Sequence, residues 1–402
     1  MKLLVADKFE KVGIDGLKDL GCDVVLAPDV KADELPAMLR EVNPKLLVVR
    51  SKKVGSAALA AAPALSLVIR AGAGIDNIDV AAASRLGIFV SNCPGKNSIA
   101  VAELIMGLLL SLDRRIPDQV AELRKGEWRK GEYAKARGLY GRTLGIVGLG
   151  QIGREVARRA QSFGMKVVAW SRNLTDQEAD RLHIEYCETP LEVARLSDAV
   201  SINVAGTAET RHLVNEEFLG AMKPGAYLIN TSRGTVVDEA ALERAVQERG
   251  IRAGLDVYQN EPSGSSGEFR PALAAVAGVY GTHHVGASTD QAQVAIAHEV
   301  IRIVDAFMST GTAPHCVNRL AKSAATHVLS VRHRNRPGVL AHVFRVLHEG
   351  SVNVEEVESI AYHGAKAASA RIHVASLPSE QALAEIRNGN GDVISVDLTA
   401  IE

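Results

Sequence analysis

A chain of 402 residues has room for two or three domains, each large enough to bury its own core. Its formal net charge of -1, with 23% charged residues, argues against nucleic acid or an anionic membrane as the main partner and favours a small soluble substrate. The four cysteines, Cys22, Cys93, Cys187 and Cys316, form no C-x-x-C pair, which suits free thiols in a reducing compartment and points to neither a disulfide framework nor a metal site.

The amino terminus, MKLLVADKFE, carries a short apolar run met at once by charge, and it reads as a first strand rather than a signal peptide. The most apolar segment, 101–112, contains Glu103 and is too short to span a bilayer, so a cytoplasmic location is expected. Apolar runs at 3–6, 24–26, 46–49, 67–71 and 88–90 alternate with amphipathic stretches such as 12–20 and 32–42, the rhythm of a parallel α/β layer. A helical stretch from Ser98 to about Lys125, with Pro117 kinking or ending its first part, leads into a second series that begins at Leu144. It continues at 167–170, 199–204, 226–230, 254–257 and 279–282. A helix at about 289–308 should return to the first unit. The expected division is a discontinuous substrate-binding domain, 1–96 with 287–317, around a dinucleotide-binding domain, 97–286; both are doubly wound α/β units.

SGSSG at 263–267 follows Glu261-Pro262 and reads as a surface loop. After Asn318 a linker-like patch with Lys322 and Ser323 precedes a strand at 327–331, a helix at 338–349, strands at 354–361 and 367–374, a helix at 380–387 and a strand at 393–398. This βαββαβ order predicts a ferredoxin-like third domain over 325–402.

Chemistry enters at RTLGIVGLGQIG, 142–153, where an apolar strand meets a helix through three spaced glycines. Gly148 permits the tight turn, Gly150 removes a side chain that would keep the backbone from a pyrophosphate, and Gly153 lets the helix pack on the strand. Free N–H groups at the helix start then face the phosphate charge. Three polar groups fall at the expected carboxyl ends of later strands: Arg233 in NTSRGTVVD, Glu261 in LDVYQNEP and His284 in HHVGAST. Hydride transfer at an alcohol carbon needs a base for the hydroxyl proton, a cation to hold a carboxylate and polarise the carbonyl, and a partner that tunes the base. Histidine, arginine and glutamate suit those roles in that order. A carboxylate beside a histidine favours the imidazolium, which serves as the acid of the reverse reduction.

With GLGQIG, NSIAVAEL, NTSRGTVVD, LDVYQNEP and HHVGAST in this order, the chain resembles the D-isomer-specific 2-hydroxyacid dehydrogenase family over almost its whole length. The resemblance implies that Arg233, Glu261 and His284 are catalytic. The family usually has proline before this histidine, where this chain has His283; the spacing to Gly286-Ala287-Ser288-Thr289 selects His284. Cofactor contacts are implied for Gly148, Gly150, Gln151, Ile152, Gly153, Ser171, Arg172, Val204, Thr231, Ser232, Asp256, His284 and Gly286. Substrate contacts are implied for Arg50, Ser51 and Lys52 in VVRSK, for Ala73 and Gly74 in RAGAGIDN, for Asn97, and for Arg233 and His284. A fixed cation such as Arg50 suits a phosphate or carboxylate.

Family members that use NAD place an acidic residue after the second strand of the dinucleotide unit, whereas this chain reads Trp170-Ser171-Arg172-Asn173. NAD is the cofactor the resemblance implies, and NADP is the alternative, since no carboxylate repels a 2′-phosphate and Arg172 can pair with one. In the tail, HRNRPGVL at 333–340 and VNV at 352–354 resemble the family's serine-binding ACT domain. That match implies His333, Asn335 and Asn353 as effector ligands, although Arg334 stands where the family often has an acidic residue.

The function so implied is oxidation of 3-phosphoglycerate by NAD in serine synthesis, in a homodimer or homotetramer with L-serine as effector. Two alternatives stay open. One is an NADPH-dependent glyoxylate or hydroxypyruvate reductase; the other is a nucleotide-sensing corepressor on the same fold.

Overall fold

In the computed structural model, which describes residues 1–262, 267–320 and 323–401, the first five strands form one parallel sheet. They are β1 (Lys2–Val5), β2 (Asp23–Leu26), β3 (Leu46–Val49), β4 (Leu67–Arg70) and β5 (Phe89–Ser91), in the order β2-β1-β3-β4-β5. Each central strand is apolar on both faces, as a sheet covered on both sides requires. Alternation then divides the side chains. Leu4, Leu47, Val49 and Val68 enter one buried cluster, while Leu3, Val5, Leu46, Val48, Leu67 and Ile69 enter the other. Ile296, Val300, Ile303 and Val304 complete the second cluster, so the helix Asp290–Thr310 returns to this sheet as expected.

The helix Ser98–Arg114 ends at Arg115, whose φ of 52° breaks the hydrogen-bond ladder, and Pro117 lies in the first turn of the next helix, Ile116–Arg124. Proline lacks an N–H and is tolerated only there, so the interruption expected at Pro117 falls two residues before it. Beyond lie β6 (Thr143–Val147), β7 (Lys166–Trp170), β8 (Glu185–Tyr186), β9 (Ala199–Ile202), β10 (Tyr227–Asn230), β11 (Arg252–Leu255) and β12 (Val279–Gly281). Their order, β12-β11-β10-β9-β6-β7-β8, is parallel throughout and reverses direction of growth between β6 and β9. The first sheet has its own reversal between β1 and β3. Ligands of open α/β sheets gather outside the carboxyl ends at such points.

Residues 319–402 form a separate compact unit. Its strands β13 (His327–Arg334), β14 (Val354–Ala361), β15 (Ala367–Val374) and β16 (Val393–Ala400) make an antiparallel sheet in the order β14-β15-β13-β16, with helices Val339–Glu349 and Glu380–Asn388 contributing to its core. That is the expected βαββαβ arrangement. Residues 263–266 of the loop expected over 263–267, and Lys322 of the expected linker, lie outside the described residues. No helix among the described residues is long and apolar enough to cross a membrane.

Candidate active site

The dinucleotide turn has the geometry its glycines require. Gly148 adopts φ 99°, and a Cβ there would lie 2.8 Å from the Asn203 carbonyl group, against the side chain of Val204. A Cβ on Gly153 would lie 2.4 Å from the carbonyl oxygen of Gly148, so this glycine lets the helix Gln151–Ser162 press onto its own turn. Gly150 differs, because a Cβ there would meet nothing within 4 Å; it borders open space. The helix has no side-chain cap, and its first N–H groups are left for an anion. Closed packing at Gly148 and Gly153 with free space at Gly150 fits a pyrophosphate. Ile152 packs into the core behind the turn, and the Gln151 side chain lies against Gly95, where a Cβ would be 1.4 Å from its Oε1. After β7, Ser171 is half-buried and Arg172 exposed, at the strand end where a ribose would lie.

Three turns bring the catalytic candidates together. After β10, the buried Asn230 clamps the segment that carries Arg233: its Oδ1 accepts from Ser232 N–H at 3.0 Å and Ser232 Oγ at 2.8 Å, and its Nδ2 donates to the Arg233 carbonyl at 2.9 Å. Gly234 then packs on the backbone of Tyr258, where a Cβ would be 2.0 Å from the carbonyl carbon. That contact links the Arg233 turn to the one carrying Glu261. Glu261 Oε1 accepts from Tyr258 N–H at 2.7 Å, and its Oε2 accepts from His284 Nδ1 at 2.6 Å. Burial pushes the Glu261 carboxyl up, but the hydrogen bonds from His284 and Tyr258 outweigh it and hold the group below the usual carboxylate range. Glu261 is therefore ionised at neutral pH, and it fixes the imidazole so that Nε2 is left for a substrate hydroxyl. No hydrogen bond of the His283 side chain is found among the described residues.

His284 itself has φ 53°, a left-handed conformation that costs a non-glycine residue energy and is held by its surroundings. Asp256 holds it. Only 1% exposed, Asp256 accepts from Thr282 Oγ1 at 2.6 Å and Val285 N–H at 2.9 Å through one oxygen, and from Gly286 N–H at 2.9 Å through the other. Sequence reasoning places Asp256 among the cofactor contacts. In the structure both its oxygens accept from the 282–286 loop, and it shapes the turn that carries His284.

At the reversal of the first sheet, Asp7 after β1 organises the loop after β3. Its Oδ2 accepts from the N–H groups of Arg50, Ser51 and Lys52 at 2.7, 3.1 and 3.1 Å. Arg50 Nη2 donates to Ser288 Oγ at 3.3 Å, four residues after His284 in the chain. The Lys52 ammonium donates to the carbonyls of Val30 and Pro28, in the short loop after β2. Arg70, at the end of β4, has a buried Nε without a partner among the described residues; burial first, and the neighbouring Arg233 next, push its guanidinium down to about 10. Asn97 and Ser98, at the start of the helix Ser98–Arg114, likewise keep buried side-chain oxygens without partners. Asp7 and Asn230 escaped sequence reasoning. Both sit at carboxyl ends of strands, and that position is the signal that marks them.

The tail's three candidates do not meet within one chain. In β13, His333 pairs with Ala368, whereas the start of β14 at Val354 is level with Val374 and hence with His327. Six residues of extended strand separate the two levels, about 20 Å. His333 is 3% exposed, donates from Nδ1 to the Arg334 carbonyl at 2.8 Å and keeps Nε2 buried without a partner among the described residues. Asn335 beside it donates to the Ala365 carbonyl, while Asn353 at the other end donates to the Glu355 carboxylate at 2.7 Å.

A glycine turn opening a helix at the reversal of a seven-stranded parallel sheet defines a dinucleotide-binding fold. The chain belongs to the D-isomer specific 2-hydroxyacid dehydrogenase family, whose NAD binding domain residues 106–286 match. It is 40% identical over 279 residues to the hydroxypyruvate reductase of Thermotoga maritima, covering 69% of this chain and 88% of that protein. It is 38% identical over 297 residues to the D-3-phosphoglycerate dehydrogenase of Methanocaldococcus jannaschii, covering 73% of this chain and 55% of that one. The chain thus spans only about half the length of that dehydrogenase. Among solved structures, the NADPH-dependent glyoxylate/hydroxypyruvate reductase of Sinorhizobium meliloti, in complex with NADP and malonate, aligns at TM-score 0.68 and 32% identity over 80% of this chain and 99% of that one.

Proposed function

We propose that this chain oxidises 3-phosphoglycerate to 3-phosphohydroxypyruvate with NAD, the first step of L-serine synthesis. The observation that carries the reaction type is the 2.6 Å pair of His284 and Glu261 on turns beside Arg233. A bound nicotinamide supplies the hydride acceptor. His284 takes the hydroxyl proton, Glu261 holds the imidazole in the productive tautomer, and Arg233 grips the carboxylate and polarises the nascent carbonyl. For the phosphate, the support is cationic: Arg50 at the switch point of the first sheet, with Arg70 near it, its guanidinium pushed down by burial first and then by Arg233 and Arg50. Initial rates over a panel of 2-hydroxy and 2-oxo acids, each with NAD and NADP, test the reading. The highest kcat/KM is expected for the phosphorylated pair.

A second reading, an NADPH-dependent glyoxylate or hydroxypyruvate reductase, is favoured by Ser171 and Arg172 at the end of β7 and by the reductases matched at similar identity. A tenfold preference for glyoxylate or hydroxypyruvate with NADPH establishes it instead. A corepressor-like role is disfavoured by the assembled acid–base pair. Under the main reading Ser171 faces the ribose, and discrimination against NADP is weak. Ser171→Asp should then lower kcat/KM with NADP by about tenfold or more through repulsion of the 2′-phosphate, with NAD little affected. Equal loss with both cofactors removes Ser171 from the ribose site.

The tail acts in this reading as an ACT-type sensor of L-serine. Because His333 and Asn335 lie about 20 Å from Asn353 in one chain, the site would combine His333 and Asn335 of one subunit with Asn353 of another. The exposed edge strands β14 and β16 suit such pairing. Asn353→Ala should weaken serine inhibition at least about tenfold while uninhibited turnover persists, since effector affinity is set by differential binding alone. Calorimetry showing no serine binding to the wild-type chain overturns this part. A homodimer is supported by the apolar side chains Ile116, Val120, Leu123 and Trp128, exposed on and just after one helix.

A further inference from the structure

The glycine loop after β4 holds a carboxylate that the reaction scheme does not use. Asp76 Oδ2 lies 2.8 Å from Arg233 Nε and 2.6 Å from Arg233 Nη2, so a single oxygen occupies the side edge of the guanidinium. On the far side, Arg233 Nη1 donates to the carbonyl of Ser232 at 2.7 Å. A guanidinium has five N–H bonds in a rigid plane. The hydrogen bonds use two of them, on Nε and Nη1, and Nη2 meets Asp76 as an ion pair. Those left over, one on Nη1 and two on Nη2, include the parallel pair of the end-on edge, which matches the two oxygens of a carboxylate.

Two features show that the contact is built into the fold. Gly74 lies directly against the arginine: a Cβ there would be 1.9 Å from Nη2 and 3.2 Å from Asp76 Oδ2, so only a glycine lets the guanidinium rest on the loop. The pair also joins the two sheets, since Asp76 follows β4 of the first and Arg233 follows β10 of the second. Arg233 is thus gripped by its own turn on one side and by the opposite sheet on the other. With Arg70 as a close cationic neighbour, it also gains a counter-charge. A carboxylate that competed with substrate would take the end-on edge. Asp76 takes the side edge and leaves that one open.

We propose that Asp76 is a positioning residue for Arg233, holding the guanidinium across the two sheets so that its end-on edge meets the carboxylate of the 2-hydroxy acid. This rests on the reading of Arg233 given above. The negative charge of Asp76 opposes an anionic substrate through space, so its two possible effects have opposite signs. A misplacement of about 1 Å at a clamp of this kind costs up to about 100-fold in rate.

The test compares Asp76→Ala and Asp76→Asn with the wild-type chain on its best substrate, measuring kcat and KM separately, the cofactor Kd and the thermal midpoint. The expected result for Asp76→Ala is a kcat lower by about tenfold to 100-fold, with KM for the acid changed less and with cofactor Kd and thermal midpoint unmoved. Asp76→Asn, isosteric and able to accept from Nε, should recover part of the loss, and it keeps the test decisive where the alanine variant does not fold. Unchanged kcat in both variants, or a fall in KM with kcat preserved, overturns the proposal; the second outcome makes Asp76 a competitor of the substrate. A wild-type chain that turns over no 2-hydroxy or 2-oxo acid overturns the reading of the site and this inference with it, whereas wild-type turnover matched by both variants overturns the inference alone.

Discussion

Replacing His284 by alanine is expected to lower kcat by about 100-fold to 10,000-fold, the usual contribution of a positioned general acid–base group, while the Kd for the cofactor stays within about twofold. The imidazole acts on a proton in flight, and the glycine turn that would hold the pyrophosphate lies on a different strand end, after β6. His283→Ala is the control. Its side chain makes no hydrogen bond among the described residues, while His284 Nδ1 is 2.6 Å from the Glu261 carboxylate. A kcat that survives in His284→Ala and collapses in His283→Ala would show that the neighbouring imidazole carries the proton. Steady-state rates and cofactor titration on the two variants decide between them. The left-handed backbone at position 284 adds a condition: the alanine variant must keep its fold by circular dichroism, because Asp256 holds that turn through backbone N–H groups that the substitution leaves in place.

Arg233→Lys is expected to be almost as damaging, with kcat/KM lower by about 100-fold to 1,000-fold, the range for loss of a donor that stabilises charge in the transition state. A lysine keeps the positive charge but presents a compact point of it, without the planar fork. The structure sharpens this expectation. Arg233 donates to Asp76 through Nε, with Nη2 in ion-pair contact with the same oxygen, and to the Ser232 carbonyl through Nη1, so two N–H bonds are engaged before any substrate arrives. An ammonium has only three in all. Lysine therefore cannot both hold the cross-sheet contact and grip a carboxylate in two places. Kinetics on Arg233→Lys and Arg233→Ala provide the check: wild-type turnover in the lysine variant would remove the fork from the mechanism and leave only its charge.

Much of this protein is local information. The two parallel series could be read because buried parallel strands are continuous apolar runs, and the helix Asp290–Thr310 could be read from its helical spacing. The dinucleotide turn was legible because Gly148 and Gly153 answer to backbone sterics that no other residue satisfies. Arg233, Glu261 and His284 stood out because each follows a strand in sequence. Partnership was not legible. The pairing of Glu261 with His284 is the exception; that Asp256 braces the 282–286 loop, that Lys52 is held by the carbonyls of Val30 and Pro28, and that Asp7 gathers three N–H groups at once are all consequences of contacts between segments far apart in the chain. The same holds for Asp76 and Arg233, 157 residues apart. Residue type and strand position state which groups stand at the rim of a sheet, since those depend on the period of one strand. Which of them touch depends on how two sheets and their loops close over one another, and a carboxylate brought within 3 Å of a cation by that closure has a role that its neighbours in sequence do not reveal.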